Sequence, residues 1–483
     1  MRATGVIAIG TDAIRTVLVI GGGVAGIAAS AALADAGMQV TLVEKRPLLG
    51  GRASSHRLAA TGELVDECQH GTMRCCTNLT DLLTRFGVND KIDYHDAIHF
   101  LDSEGKRSVI KGCGMPAPGH TGLSFLLFRS LSVADKLCIA RAMLAMVMRP
   151  QMPDADSRTM ASWFAEMKQT ERAIKRFWAP VLISACNESI DRISCFHAFK
   201  IFRDGFLMNH EAFHFGVPTV PLAELYHSPA INYIQKRGGV VLPKTTVDRV
   251  LVSDEQQVSG IVLQNGDVLN ADRYVFALQS DLLLKLLPAE LTSDSSFWQP
   301  IADIELSPIV GIHLWLDKEI DCPAAIALLD RDTEWVFNKN INYRLPAGSG
   351  TNLSALISAS QRFTNTPQKE ILDMVIKDLR AALPAMQGAT VVRSQVVKWP
   401  RATFSPVPGI ESARPDQRTP VRNLLLAGEW TQTGWPSTME SAVISGYRAA
   451  EYILAEAGQP KAVQAKALPY GAVARLLDGY RRK

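Results

Sequence analysis

The sequence predicts an α/β protein whose open, mostly parallel sheet is shared by the two ends of the chain, with a mixed α+β unit carried between them. Three stretches predict it. Thr16-VLVI is a β-branched run that flows directly into Gly21-Gly22-Gly23-Val24-Ala25-Gly26. Gln39-VTLV is a second apolar run, ending on the acid Glu44, and Asn423-LLLA, near the other end, finishes on Gly428-Glu429. Short apolar runs bounded by glycine are the pattern of strands buried on both faces.

Between the first two strands, Val24 to Ala36 is rich in alanine, which lets a helix lie close on a sheet, and Gly37 is placed to end it. Gly21 makes the tight turn, Gly23 lets the N–H groups around Val24 and Ala25 approach a pyrophosphate, and Gly26 lets helix and strand touch. Glu44, with Lys45 beside it, stands where an acid accepts ribose hydroxyls. This is a Rossmann-like dinucleotide site. Gly50-Gly51-Arg52 follows closely, and a glycine pair plus an arginine can wrap a phosphate that a simple NAD site leaves to solvent. The expected dinucleotide is therefore FAD. Gly428 and Glu429 lie at the carboxyl end of the last strand, where ligands of open α/β sheets bind. Ser437-Thr438-Met439-Glu440 then opens a helix running to about Ala455. Ser437 and Glu440 have capping-box spacing, and the same helix start, aimed at a flavin pyrimidine, would stabilise negative charge on reduced flavin. Both readings stand at this level.

No second nucleotide fold is visible. Gly112-Cys113-Gly114-Met115-Pro116-Ala117 carries proline where a helix should run and reads as loop. A separate electron donor is expected: a reductase, a small carrier protein or a membrane quinone pool.

Because the first and last segments belong to one sheet, the FAD-binding domain is discontinuous, comprising residues 16–85, 230–300 and 419–457. Residues 86–229 and 301–418 form a substrate-binding domain, with terminal extensions at 1–15 and 458–483. Residues 239–278 read as strand, turn, strand, turn, strand, a meander completing the nucleotide half and setting Val247 beside the adenine. One helix starts at Ser132 and another spans Met160 to Trp178. Val310-GIHLWL and Thr390-VVRSQVVKW are strands around a helix that starts at Pro367. Trp163, Trp178, Phe196, Phe199, Phe202, Phe206 and Phe215 mark either an apolar cavity or an ordinary aromatic core.

Composition excludes several classes. Lys plus Arg number 51 against 48 Asp plus Glu, a net of +3, and the basic residues are dispersed apart from Arg481-Arg482-Lys483. No nucleic-acid footprint results. Eight cysteines without a C-x-x-C pair suit reduced thiols. Val6 to Gly10 is too short for the core of a signal peptide, so a cytoplasmic protein is expected. Leu123 to Met148, the most apolar stretch, is interrupted by Arg129, Asp135, Lys136 and Arg141 and is no membrane span. It reads either as a core helix or as an interfacial docking helix.

His210-Glu211-Ala212-Phe213-His214 has the H-E-x-x-H spacing of a zinc helix. Gly205, Gly216 and Pro218 crowd it and no later histidine completes the longer H-x-x-G-x-x-H pattern, so a polar loop edge is expected and no metal. Asp66-Glu67-Cys68-Gln69-His70, with Cys75 and Cys76, fits no zinc pattern and reads as a loop facing the flavin.

Together these stretches resemble the FAD-dependent amine oxidase and phytoene desaturase superfamily, and within it the squalene-associated hydroxysqualene dehydroxylases of hopanoid biosynthesis. The resemblance rests on VLVIGGGVAGIAA, LLGGRASS, VDECQHGTMRCCTNLTDL, FWAPVLISACNES, FRDGF, GVPTVPLAELY and LLLAGEWTQTGWPSTMESAVISGYRAAE, reaching from Val17 to about Leu454. The first, second and last are shared by the superfamily. The Gln-His, GVPTVPL and Thr-Gly-Trp-Pro-Ser-Thr-Met-Glu segments point to the branch. Glu67 stands where relatives carry Asn, and Glu429 where they often carry Asp.

The resemblance implies reductive loss of the hydroxyl of hydroxysqualene to give squalene. Acid help at the oxygen releases water, and hydride from reduced flavin quenches the allylic cation in a dry pocket. It further implies His70 and Asp66 as candidates for the proton, with a structural hydrogen bond as the other reading of Asp66. A lipid substrate places the protein at the membrane surface, peripheral on the inner face. A carotenoid or isoprenoid desaturase would use the same fold, as would a flavin amine oxidase, for which Trp435 supplies one aromatic wall. A flavin-bound partner without turnover is the third alternative.

Overall fold

The computed structural model describes residues 14–59, 61–148 and 152–479. The chain opens with β1 (Thr16–Ile20), α1 (Val24–Asp35) and β2 (Gln39–Val43), a parallel β–α–β unit. β1 is covered on both faces, Val17 and Val19 packing with α1 and Leu18 and Ile20 into a second core, as period-two alternation dictates. β3 (Ser55–Arg57) and β4 (Leu64–Asp66) pair as a hairpin, and β5 (Thr72–Met73) leads into α2 (Thr77–Arg85). β6 (Ile92–His95) precedes the hairpin of β7 (Ala97–Leu101) and β8 (Arg107–Lys111).

Leu123 to Met148 is not one helix: α3 (Gly122–Leu126) and α4 (Val133–Met148) are separate. Ser132 explains the second start, its hydroxyl accepting from the Asp135 N–H at 3.2 Å while Asp135 accepts from the Ser132 N–H at 2.7 Å. The helix expected from Met160 to Trp178 is also broken. It stops at Glu166, Lys168 takes a left-handed φ of 50°, and Thr170 caps a new start. α5 (Cys195–Phe202) follows, and β9 (Phe215–Pro218) returns to pair with both β5 and β6.

The expected three-strand meander over 239–278 proves to be five strands. β10 (Val240–Leu242) and β14 (Arg273–Phe276) leave it to join the parallel sheet beside β2 and β1, while β11 (Val247–Val252), β12 (Val258–Leu263) and β13 (Val268–Leu269) stay antiparallel. The turns at Pro243-Lys244, with Lys244 at φ 57°, and at Asn270-Ala271-Asp272 make the division. β15 (Leu306–Leu316), β16 (Ala325–Leu328), β17 (Trp335–Asn338), β18 (Thr351–Ile357), α6 (Gln368–Ala382) and β19 (Val391–Phe404) come next. β20 (Leu424–Leu426) completes the parallel sheet, α7 (Met439–Glu456) packs across α1, and α8 (Ala472–Gly479) lies on α4.

Two sheets organise the molecule. The parallel one runs β10-β2-β1-β14-β20, and the larger one β19-β15-β18-β17-β16-β7-β8. α6 covers one face of the larger sheet, where Ile371, Val375 and Leu379 meet Ile312, Leu314 and Val336. The other face is aromatic around Trp335 and Phe337 and polar around His313, Ser354 and Gln395.

Of the aromatic residues between 160 and 216, Trp163, Trp178 and Phe202 are an ordinary buried core, with Trp178 and Phe202 edge to face at 4.7 Å. Residues 458–479, expected as part of an extension, are built into the fold: Asn209 Nδ2 donates to the Pro469 carbonyl at 2.8 Å, and Arg203 pairs with Asp478 at 3.1 Å. Residues 1–13 and 480–483 of the two extensions, including Arg481-Arg482-Lys483, lie outside the described residues.

Candidate functional site

The glycine turn is shaped by contact at two positions and open at the third. Gly21 has φ +107°, and a Cβ on Gly26 would stand 1.9 Å from the Gly21 carbonyl oxygen. Gly23 is different, since nothing lies within 4 Å of where its side chain would be. It is the N-cap of α1, with no side-chain cap and no acid in the first turn. A helix N-terminus starting at Val24 and Ala25, uncapped and open to approach, is a cradle for a phosphate.

Glu44, buried at the end of β2, accepts from the N–H groups of Gly22 and Arg46, each at 2.7 Å. It therefore braces the turn, and an ionised carboxylate keeps lone pairs for ribose hydroxyls. Lys45 beside it is exposed. The Thr245 N–H donates to the Glu44 carbonyl at 2.9 Å, which brings the start of β11, with Val247, to the same edge. Gly50 donates to the Gly22 carbonyl at 2.8 Å, and Gly51, at φ +62°, lies against Gly23.

Arg52 departs from expectation. Its guanidinium donates to the Ala402 carbonyl at 2.6 Å and to the Glu429 carboxylate at 2.5 Å, so it ties the front of the chain to the end of β20 instead of wrapping a phosphate. Burial pushes the Glu429 carboxyl up, but Arg52, a backbone hydrogen bond and Arg414 together hold the group below its ordinary range. The turn from Gly428 to Met439 is held from beneath by Arg414. This buried side chain donates to the carbonyls of Glu429 and Trp435 at 2.8 and 2.9 Å, to Thr431, and to the Glu411 carboxylate at 2.6 Å.

Ser437 is not the cap of α7. Thr438 is, its hydroxyl accepting from the Ser441 N–H at 3.1 Å, so Met439 is the first helical residue. Glu440 turns away to a neighbour, accepting from the N–H groups of Asn78 and Leu79 at 3.1 and 2.8 Å. It caps α2 and fastens that helix to the start of α7.

Asp66 is an anion with every lone-pair direction in use. Oδ1 accepts from the Ser55 hydroxyl and the Leu222 N–H, each at 2.8 Å; Oδ2 accepts from Lys339 Nζ at 3.0 Å and from the Tyr343 hydroxyl at 2.6 Å. Burial raises its pKa, but Lys339, Tyr343 and the Leu222 amide together hold it below the usual value. It has no proton to give, which corrects its candidacy as an acid.

His70 lies beside this cluster, with Arg52 also acting on it. Its Nδ1 is 3.0 Å from the Cys68 carbonyl, which only a donor can satisfy, so Nε2 carries the lone pair. Burial lowers its pKa, leaving a neutral imidazole at pH 7. Gln69, buried next to it, donates from Nε2 to the His70 carbonyl at 3.1 Å. Lys339 and Tyr343 were not legible in advance, since their partner Asp66 lies 273 and 277 residues away, and Arg414 was not because no motif surrounds it. The H-E-x-x-H segment is a loop with His210 exposed, and the described residues hold no cluster able to bind a metal.

A parallel sheet with an uncapped glycine turn, a braced acid at the end of β2 and a second helix start facing the same edge defines an FAD-dependent oxidoreductase fold. The chain belongs to the flavin containing amine oxidoreductase family, which it matches over residues 24–454. It is 28% identical to zeta-carotene desaturase of Arabidopsis thaliana, covering 95% of this chain and 88% of that one. It is 26% identical to 15-cis-phytoene desaturase of an Oncidium hybrid, over 91% of this chain and 77% of the relative. Among solved structures it resembles an oxidoreductase from Methanosarcina mazei, with TM-score 0.69 and 15% identity over 89% of this chain and 98% of that one. Cyclohexylamine oxidase from Brevibacterium oxydans gives TM-score 0.62 and 19% identity over 92% and 99%. At such identity these structures share the fold. FAD is the cofactor, and the Gly23 cradle fits it. The relatives named are carotene and phytoene desaturases, which is the broader expectation and not the hydroxysqualene branch.

Proposed function

We propose that this protein is an FAD-dependent oxidoreductase of linear isoprenoid chains that works in the desaturating direction. The observation that carries the reading is His70, a neutral imidazole whose free Nε2 is a base. Gly23, Val24, Ala25 and Gly51 would hold the pyrophosphate, Glu44 the ribose, and the start of α7 at Met439 the pyrimidine. Bound there, FAD supplies two-electron chemistry, taking a hydride equivalent from carbon. His70 takes the proton from the adjoining carbon, and Arg52 and Glu429, paired, keep the front and back of the site in register. The desaturase relatives support this direction.

The VDECQH and GVPTVPL segments favour a second reading, reductive dehydroxylation of hydroxysqualene. That reaction needs an acid, which the Lys339 and Tyr343 pair would supply in place of Asp66.

Anaerobic single turnover separates the two. Oxidised enzyme mixed with phytoene or zeta-carotene is expected to bleach its flavin and form a new double bond. Dithionite-reduced enzyme reoxidised by hydroxysqualene with stoichiometric squalene would instead establish the second reading. His70→Gln is expected to slow flavin bleaching about 10²–10⁴-fold. In the wild type the rate should fall as pH drops through the lowered imidazole pKa and Nε2 becomes protonated. Wild-type rates in the variant would remove His70 from the mechanism.

A lipid substrate and a separate electron partner, for instance a membrane quinone pool, place the enzyme at the bilayer surface. No helix among the described residues is long and apolar enough to cross a membrane. The docking surface we propose is α3 with the outer edge of α4, where Leu123, Leu126, Leu127, Val133, Leu137 and Leu144 are exposed, Leu137 at 68%. Val147 is buried and takes no part. Replacing Leu137 and Leu144 by Asp is expected to abolish flotation with anionic liposomes while FAD content stays unchanged. Unaltered flotation of the folded variant would dismiss this surface.

A further inference from the structure

A pocket of about 230 Å³ lies between β7, the loop before β16 and the β17 strand, away from the dinucleotide cradle. Phe215 and Trp335 form one wall, stacked at 5.7 Å with 22° between their planes. Ile98, Pro323 and Ala325 continue the apolar lining, and His95, Asp96 and His99 make it polar on one side.

Two contacts give the pocket its meaning. The first is inward: Phe215 fills the space above Gly71, where an added Cβ would stand 2.5 Å from the ring, and Gly71 directly follows His70. Phe215 thus lies between the pocket that it lines and the Gly71 backbone, one residue along the chain from His70. The second is outward: Ala97 pairs with Lys111, Lys111 Nζ is 3.6 Å from Asp96, and the Lys111 N–H and carbonyl are both bonded by the Ser124 hydroxyl of α3, at 2.9 and 2.8 Å. The polar rim therefore adjoins the helix that exposes Leu123 and Leu126.

We infer that this pocket seats one end of a linear isoprenoid chain and that Phe215 is the partition between that end and His70. The inference rests on the isoprenoid reading above and adds to it a distal subsite and a residue that sets chain register. The size agrees, since a cavity of roughly 150 Å³ takes a benzene ring, so this one takes one or two five-carbon units and not a whole chain. The remainder of the substrate must run past Phe215 toward His70, and the polar rim accommodates a hydroxyl or water where the chain enters.

Trp335 makes the test independent of turnover. cis-Parinaric acid, a linear conjugated polyene that accepts energy from tryptophan, is titrated into FAD-loaded enzyme while tryptophan emission is followed. The expected result is saturable quenching that squalene reverses, with the quenched component missing in Trp335→Phe. Ala325→Leu or Ala324→Leu, each filling the pocket, is expected to weaken binding about tenfold at unchanged FAD content and melting temperature, and either folded variant suffices. The quenching is read without turnover, so failure of the desaturase reading would show in turnover alone. Equal quenching in wild type and Trp335→Phe, or wild-type affinity in a folded pocket-filled variant, would overturn the subsite.

Discussion

Lys339→Met is expected to destabilise the protein by about 3–5 kcal/mol at pH 7, because it strands the Asp66 carboxylate in the interior without its cation. Both side chains of the pair are almost fully buried, at 4% and 1%. The Tyr343 hydroxyl and the Leu222 N–H would remain on Asp66, but neither carries charge. The pH dependence gives the effect a signature. In the wild type Asp66 has a folded pKa below its unfolded value, so its contribution is present above the unfolded pKa and lost as pH falls through the folded one. In the variant, burial acts without the opposing cation and the folded pKa rises above the unfolded value. The penalty is then full at neutral pH and shrinks as acid protonates the carboxyl. Urea unfolding at pH 7 and pH 5 checks this, with Asp66→Asn added to Lys339→Met as the partial rescue. A deficit independent of pH would mean that lost packing, and not the stranded charge, is the cause.

Gly446→Ala is expected to yield protein that folds poorly and carries little FAD, because Gly446 packs directly on the backbone of α1 at its first turn. The added Cβ would stand 2.2 Å from the Ala25 carbonyl oxygen and 2.9 Å from the Ala29 nitrogen, both backbone atoms of α1. Neither can yield by changing rotamer, so α7 must move off α1, at a cost of about 1–3 kcal/mol or more. The displacement reaches the site along two routes. Ser445, next in the chain, accepts from the Gly428 N–H at 2.8 Å, and the start of α7 is fixed to α2 through Glu440. The ratio of flavin to protein absorbance after purification measures the outcome. Full FAD occupancy in Gly446→Ala would show that the two helices can separate without disturbing the cradle.

Much of the frame was legible because its causes are local. The apolar run at Val17 to Ile20 and the glycines at 21, 23 and 26 each answer to strand burial, backbone conformation or close approach, which neighbouring residues reveal. The loop character of the H-E-x-x-H segment followed from its flanking glycines and proline. Helix continuity was less legible: the start expected at Ser132 is where α4 begins, but Leu123 to Met148 also reads as one stretch and Met160 to Trp178 as one helix, and Thr170 divides the latter because it offers a better cap than the helix offers a continuation.

The sequence by itself therefore determined the parallel sheet, the position of its glycine turn and the FAD family to which it belongs, since these depend on periodicity and on what one glycine permits. Only the tertiary structure decided which charges meet. Arg52 could have faced a phosphate and instead reaches Glu429; Asp66 could have been an acid and instead is held by Lys339 and Tyr343; Ser437 could have been the cap and Thr438 is. A buried charge takes whichever partner the fold brings within hydrogen-bond reach, and for Asp66 that partner lies 273 residues along the chain, where no local pattern can announce it.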